Sequence, residues 1–142
     1  MVNVTVKSKQ NHNVKKGVSD GSIYGLREIT QAIQSQAKVL ATGKNSLGFL
    51  RASIKNRIRK FKGYVFTGLV YSKIQEFGGV IRPINGKYLT FKGSSGNWVS
   101  VKKVTIPGLN GGKGYLRPAV DIIRRKIPST MGKNIRSGIR RN

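Results

Sequence analysis

The chain has 142 residues, no cysteine, and 28 Lys and Arg against four Asp and Glu, a formal net charge of +24. The length suits one domain with one core, and the absence of thiols excludes a disulfide framework, thiolate catalysis and a cysteine-ligated metal site. An apolar fraction of 37% with no membrane-length apolar run points to a modest core, and the charge favours a polyanionic partner such as nucleic acid or an acidic surface.

The first ten residues, MVNVTVKSKQ, lack the charged-then-apolar layout of a signal peptide, so the chain reads as made and used without secretion. Val2, Val4 and Val6 alternate with Asn3, Thr5 and Lys7, which predicts a short strand over 2–7. Residues 8–21 are polar, include Gly17 and Gly21, and read as a loop holding the one histidine, His12. Leu26, Ile29, Ile33, Ala37 and Leu40 predict a helix over 22–41, capped by Asp20 or Ser22 and stopped by Gly43.

Two periods compete over 47–61. Leu47, Leu50, Ile54, Ile58 and Phe61 have helical spacing, while Ala52, Ile54 and Ile58 also alternate with Arg51, Ser53, Lys55, Arg57 and Arg59. The strand reading, 51–60, is preferred because residues 64–70, YVFTGLV, offer a pairing partner across a turn at Phe61-Lys62-Gly63. That second strand is apolar on both faces, which predicts burial on both sides or a subunit interface.

Residues 71–77 predict a short helix halted by Gly78-Gly79, since glycine enters positive φ without steric cost. A second hairpin follows, with arms over 80–91 and 98–106, a tip at 93–97, and a β-bulge expected near Lys102-Lys103. Residues 108–114, GLNGGKG, read as a flexible loop. The last helix is expected over 117–127, with Pro118 in its first turn, Leu116, Val120, Ile123 and Ile127 as its apolar stripe, and Pro128 as its stop. The remainder is basic and poor in large apolar residues, which predicts disorder. The fold class is α+β: an antiparallel sheet of two β-hairpins, with the N-terminal strand as a further candidate, packed against a long N-terminal and a C-terminal helix. One domain covers 1–128, with 1–21 as lead-in, and 129–142 form a basic tail.

Catalysis finds little support. His12 has no evident partner, and Asp20, Glu28, Glu76 and Asp121 form no paired or metal-ligand spacing. Asp20, Glu28 and Asp121 have ordinary helix-start explanations. The GGKG of 111–114 fails the phosphate-loop pattern, because Pro107 stands where its first glycine belongs and Gly114 where its Ser or Thr belongs. No enzyme, metal or cofactor is therefore expected. The stretch KGYVFTGL partly resembles the RNA-recognition signature: Lys62, Gly63, Tyr64 and Phe66 match, whereas Val65, Thr67 and Leu69 do not, no companion aromatic strand is visible, and the match reads as chance, with core or interface packing the preferred explanation. A cationic stripe of Arg51, Lys55, Arg57 and Arg59, extended by Lys60 and Lys62, and the tail residues Lys133, Arg136, Arg140 and Arg141 would hold phosphates or an acidic partner without reading sequence.

The order of parts carries a resemblance. Leu50-Arg51-Ala52-Ser53-Ile54 precedes a basic hairpin; then come Val70-Tyr71, Glu76-Phe77-Gly78-Gly79, Ile81-Arg82-Pro83, Lys87-Tyr88-Leu89-Thr90-Phe91, Trp98-Val99, Lys103-Val104-Thr105-Ile106-Pro107 and Tyr115-Leu116-Arg117-Pro118-Ala119. Over about residues 22–127 this resembles the virion morphogenesis or tail-completion family of tailed bacteriophages, the minor tail or head–tail joining (neck) proteins. The chain departs from that pattern at KNSLGF before LRASI and at the glycine-rich GLNGGKG insertion. The resemblance implies a non-enzymatic α+β subunit of a ring, most simply a hexamer, located in the virion at the head–tail junction after assembly in the host cytoplasm. Its partners would be copies of itself, neighbouring neck or tail proteins and DNA in the lumen, with no membrane. Tyr71, Glu76, Phe77, Gly78, Gly79, Pro83, Leu116 and Pro118 would then form a structural corner or subunit interface, with Phe77 anchoring the short helix and Glu76 as a tether within or between subunits. The alternative is a basic nucleic-acid-binding module that uses the aromatic strand and the cationic stripe.

Overall fold

Asn11 opens the first helix by accepting the Asn13 N–H on its side-chain oxygen at 3.1 Å, and α1 runs from His12–Leu40. The computed structural model describes residues 11–42 and 48–142; the strand expected over 2–7 and the stop at Gly43 lie outside the described residues. The remaining elements are α2 (Gly48–Ser53), β1 (Lys55–Arg59), β2 (Lys62–Phe66), α3 (Ser72–Phe77), β3 (Gly79–Ile81), β4 (Leu89–Lys92), β5 (Trp98–Val101), β6 (Val104–Ile106), α4 (Leu116–Arg124) and α5 (Ile127–Arg141). The class is α+β, with a long N-terminal helix, C-terminal helices and small antiparallel sheets made from hairpins.

Helix α1 starts ten residues before the expected 22, so neither Asp20 nor Ser22 caps it; the Ser22 hydroxyl donates to the Val18 carbonyl at 2.7 Å in mid-helix. The reason lies in a four-residue ladder. Gly17, Gly21, Gly25, Ile29, Ile33 and Ala37 are all buried. Each step of four advances about 40° around the helix, so the ladder winds and presents its two halves to different neighbours. Ile29, Ile33 and Ala37 join the core with Leu50, Ile54, Tyr115, Ala119 and Ile123. The glycines meet α5: a Cβ on Gly21 would lie 2.5 Å from the Asn134 carbonyl oxygen, and one on Gly17 would lie 2.7 Å from the Ile139 Cα.

The tail expected to be disordered is therefore a helix, α5, lying along the glycine half of α1. Its contact with α1 is close because glycines bring backbone against backbone, with Gly138 buried near its C-terminal end, while Ile127 and Met131 pack on the core. Asn134 adds a polar link, donating to the Glu28 carboxylate at 2.8 Å. Pro128 does not end the preceding helix; α4 ends at Arg124 and Pro128 occupies the first turn of α5, where its missing N–H costs nothing.

Over 48–61 both periods are used in succession; Leu47 lies outside the described residues. Leu50 and Ile54 are fully buried, the first on α2 and the second between α2 and β1; burial of each is worth about 1.5–3 kcal/mol. The β1–β2 turn is Lys60-Phe61, not Phe61-Lys62-Gly63, with φ of 47° and 58°. Two positive φ values in a two-residue loop match the right-handed strand twist. Gly63 serves a different need: a Cβ there would collide with the Thr30 methyl of α1. The second strand is also shorter than 64–70, ending at Phe66. It is not buried on both sides, for Tyr64 and Phe66 are exposed and Val70 beyond it is 97% exposed.

The second hairpin is broken into two ladders, β3–β6 and β4–β5. Residues 82–88 of one arm oppose only 102 and 103 of the other, a larger interruption than the expected bulge. Pro83 lies in it and has no N–H to give to a ladder. The GLNGGKG loop is hydrogen-bonded rather than open: Leu109 donates to the Gln75 carbonyl at 2.8 Å, and the Asn110 amide donates to the Gly114 carbonyl at 2.8 Å and to the last carbonyl of α1, Leu40, at 3.1 Å.

Candidate functional site

Helix α4 begins with N–H groups that have no partner within the helix. Glu76, at the end of α3, supplies the acceptor from 40 residues away. Its Oε2 accepts from Tyr115 N–H at 2.7 Å and Leu116 N–H at 2.8 Å, and its Oε1 accepts from Arg117 N–H at 3.0 Å. The next residue is Pro118, which has no N–H, so one carboxylate and one proline together account for the whole first turn. The Arg117 guanidinium closes the clamp, donating to Oε1 and to the Glu76 carbonyl, each at 3.2 Å. Its face stacks on Phe77 at 4.6 Å from the ring centroid.

Glu76 is 3% exposed. Burial by itself raises its pKa, but the three backbone N–H groups and Arg117 outweigh that and hold the carboxyl below its ordinary 4.5. The carboxylate fits because Gly114 has no side chain: a Cβ there would lie 2.5 Å from the Glu76 carboxyl carbon, and the φ of +80° already favours glycine. Gly78, at φ +73°, likewise lets the chain turn beneath the Ile106 and Pro107 carbonyls. Tyr115 lies beneath the clamp, fully buried. Burial and the adjacent Glu76 charge push its hydroxyl up to about 12. Ser72 is close by, yet no partner meets hydrogen-bonding geometry with the Tyr115 hydroxyl among the described residues. Removing a buried, unpaired hydroxyl relieves its desolvation cost. Tyr115→Phe is therefore expected to raise stability by about 1 kcal/mol in urea unfolding; a loss of that size would mean that the hydroxyl has a bound partner.

The corner read from sequence is thus built by Glu76, Gly78, Leu116 and Pro118. Phe77 does not anchor α3 in the core; it is 58% exposed and serves as a platform for Arg117. Tyr71 stands at the N-terminal end of α3, where its carbonyl accepts from Gln75 N–H at 3.1 Å. Gly79 starts β3, and Pro83 sits in the interruption of the second hairpin. Sequence reasoning missed Gly114, Tyr115 and Arg117. Their signal was the pairing of an isolated acid with a Gly-Tyr-Leu-Arg-Pro helix start.

The cationic residues divide among elements. Lys55, Arg57 and Arg59 lie on β1 and Lys62 on β2, and all are exposed. Lys60 is in the turn between those strands and Arg51 is on α2. Lys133, Arg136, Arg140 and Arg141 line the exposed side of α5. The hairpin is fixed to α1 through its inner face: the Gln34 amide donates to the Ile54 carbonyl at 2.7 Å and accepts from the Asn56 amide at 2.5 Å. Among the described residues no three of His, Cys, Asp and Glu come together as a metal-binding group, and no helix is long and apolar enough to cross a membrane.

Comparison with protein-family models, curated proteins and solved structures finds no match to the chain.

Proposed function

We propose that the chain is a non-enzymatic structural subunit of a tailed-bacteriophage virion, a tail-completion or head–tail joining protein that closes into a ring, most simply a hexamer. The observation that carries this reading is the Glu76 clamp. EFGG and YLRPA, two members of the ordered motif set, are distant in sequence but form one unit, the acid of the first capping the helix of the second. A motif set whose members depend on one another physically is a stronger basis for resemblance than the same residues scattered over the surface. The clamp also makes Glu76 a tether within the subunit.

A ring further needs a head-to-tail surface. The broken second hairpin supplies a candidate. Each of its ladders has only two strands, which are marginal alone in water, and it displays Ile84 at 96%, Trp98 at 69% and Tyr88 at 53% exposure. On this reading the subunit resides in the host cytoplasm during assembly and then at the head–tail junction, between neck or tail proteins and around DNA held non-specifically.

Purified virions are expected to contain the chain, and electron microscopy of their necks to show it as a ring; its absence from virions and isolated tails would refute the proposal. For the interface, Ile84→Asp with Trp98→Ala should leave far-UV circular dichroism unchanged. The same pair should weaken each subunit contact by about 2 kcal/mol or more, so that light scattering after size exclusion reports monomer where the parent protein gives a ring. A ring persisting in the double variant would place the contact elsewhere.

A further inference from the structure

The antiparallel register of the first hairpin pairs Lys55 with Phe66, Arg57 with Tyr64, and Arg59 with Lys62. Directly opposed residues project from the same side of a ladder, and alternate pairs share a face. The intervening pairs, Asn56–Val65 and Ile58–Gly63, belong to the inner face, where Asn56 bonds Gln34, Gly63 abuts Thr30 and Val65 packs on the core. The outer face therefore consists of four cations and two aromatic rings, with no acid and every residue exposed. Like charges directly across a ladder destabilise it, so the Arg59–Lys62 pair does not serve the fold.

The rings are arranged for use from outside. Tyr64 and Phe66 are 42% and 38% exposed. Two residues apart on one strand, they are offset by about 7 Å, and the Arg57 guanidinium lies between them at 6.0 Å and 5.4 Å from their centroids. Phe66 also forms a wall of two open apolar clefts, one bounded by Phe49 and Leu69 and the other by Phe77 and Leu116.

We infer that this outer face is a binding platform for single-stranded nucleic acid. Lys55, Arg59 and Lys62 hold successive phosphates, Arg57 fixes the ring orientation, and unstacked bases lie on Tyr64 and Phe66. An acidic peptide would satisfy the cations but leave the ring surface that Arg57 does not cover without a role. A duplex presents phosphates but keeps its base faces inside the stack. Only a single strand offers both charge and π-surface at once. Nothing on the face reads base edges, so binding is indifferent to sequence. The inference does not rest on the ring reading, since one folded subunit carries the whole platform.

The test is fluorescence anisotropy of labelled oligothymidylate and of a hairpin duplex across a salt series, with the full chain. Three phosphate contacts predict a log–log salt slope of about −2 for the single strand, superimposed on what the overall charge contributes. Tyr64→Ala with Phe66→Ala leaves the charge unchanged and is expected to weaken the single strand about tenfold or more, the duplex less than twofold. Both rings are exposed, so the fold should survive, and unchanged circular dichroism and melting temperature will verify it. Tyr64→Phe with Phe66→Tyr should restore binding. Tyr24→Ala, an aromatic flanked by Arg27 and Arg141 elsewhere on the surface, should leave it unchanged. Equal single-strand affinity in the alanine pair, or parent protein binding duplex or polyglutamate as tightly as the single strand, would overturn the inference.

Discussion

Replacing Glu76 with glutamine is expected to cost about 3 kcal/mol or more in the free energy of unfolding at neutral pH. The carboxylate accepts three backbone N–H bonds and one guanidinium bond while 3% exposed. A carboxamide keeps the shape but turns one acceptor into a donor, aimed at N–H groups that are themselves donors. It also removes the negative charge from the positive end of α4 and takes the ion-pair partner from Arg117, which keeps only its bond to the residue 76 carbonyl and its stacking on Phe77. Urea unfolding followed by tryptophan fluorescence or circular dichroism gives the number. The pH dependence separates this mechanism from simple misfit. The folded pKa lies below the ordinary 4.5, so the carboxylate's contribution is complete above about that value and is lost as pH falls through the lower folded pKa. The deficit of the glutamine variant should accordingly be largest at neutral pH and shrink on acidification below pH 4.5. A deficit constant down to the acid limit would show that the charge is not what holds the corner.

Gly138→Ala should reverse the usual sign of a helix substitution. In an exposed helix interior the change gains up to about 1 kcal/mol. Here the new Cβ would meet the Gly17 carbonyl oxygen and lie 2.9 Å from Gly21 N and 3.0 Å from Gly21 Cα. Those are backbone atoms of α1, which no rotamer change can move. The expected loss is about 2 kcal/mol, with α5 displaced from α1. Gly132→Ala in the same helix is the matched comparison, because its Cβ would meet only the flexible Arg136 guanidinium, at 3.4 Å. That variant should hold or gain stability. Thermal unfolding of the pair is decisive, and equal effects would mean that α5 is not held by close backbone contact.

Much of the chain was legible because its information is local. Residues 71–77 ending at Gly78-Gly79, Pro118 in a first turn and the two hairpins follow from spacing and turn chemistry, which neighbouring residues impose on one another. The cationic alternation of Lys55, Arg57 and Arg59 was legible too and is that of β1, whereas Arg51 lies on α2. What failed was every reading that equated low apolarity with absence of structure. Residues 12–21 and 129–141 read as loop and tail because they offer mostly glycine, serine and charge where a core-facing helix would offer leucine. The two segments fold against each other, and glycine then gains a value that no single-helix scale records: it lets two backbones touch.

The same division runs through the functional surfaces. That Glu76 matters could be suspected from an acid isolated among 28 cations. Its role was decided only when the fold placed the start of α4 over it, since a carboxylate has no direction until a set of N–H groups supplies one. Likewise strand alternation alone puts Lys55, Arg57 and Arg59 on one side of a strand, and Tyr64 and Phe66 on one side of another. Whether those sides coincide depends on register. The two-residue turn at Lys60-Phe61 sets that register, and a slip of one residue would have put the rings on the opposite face from the cations.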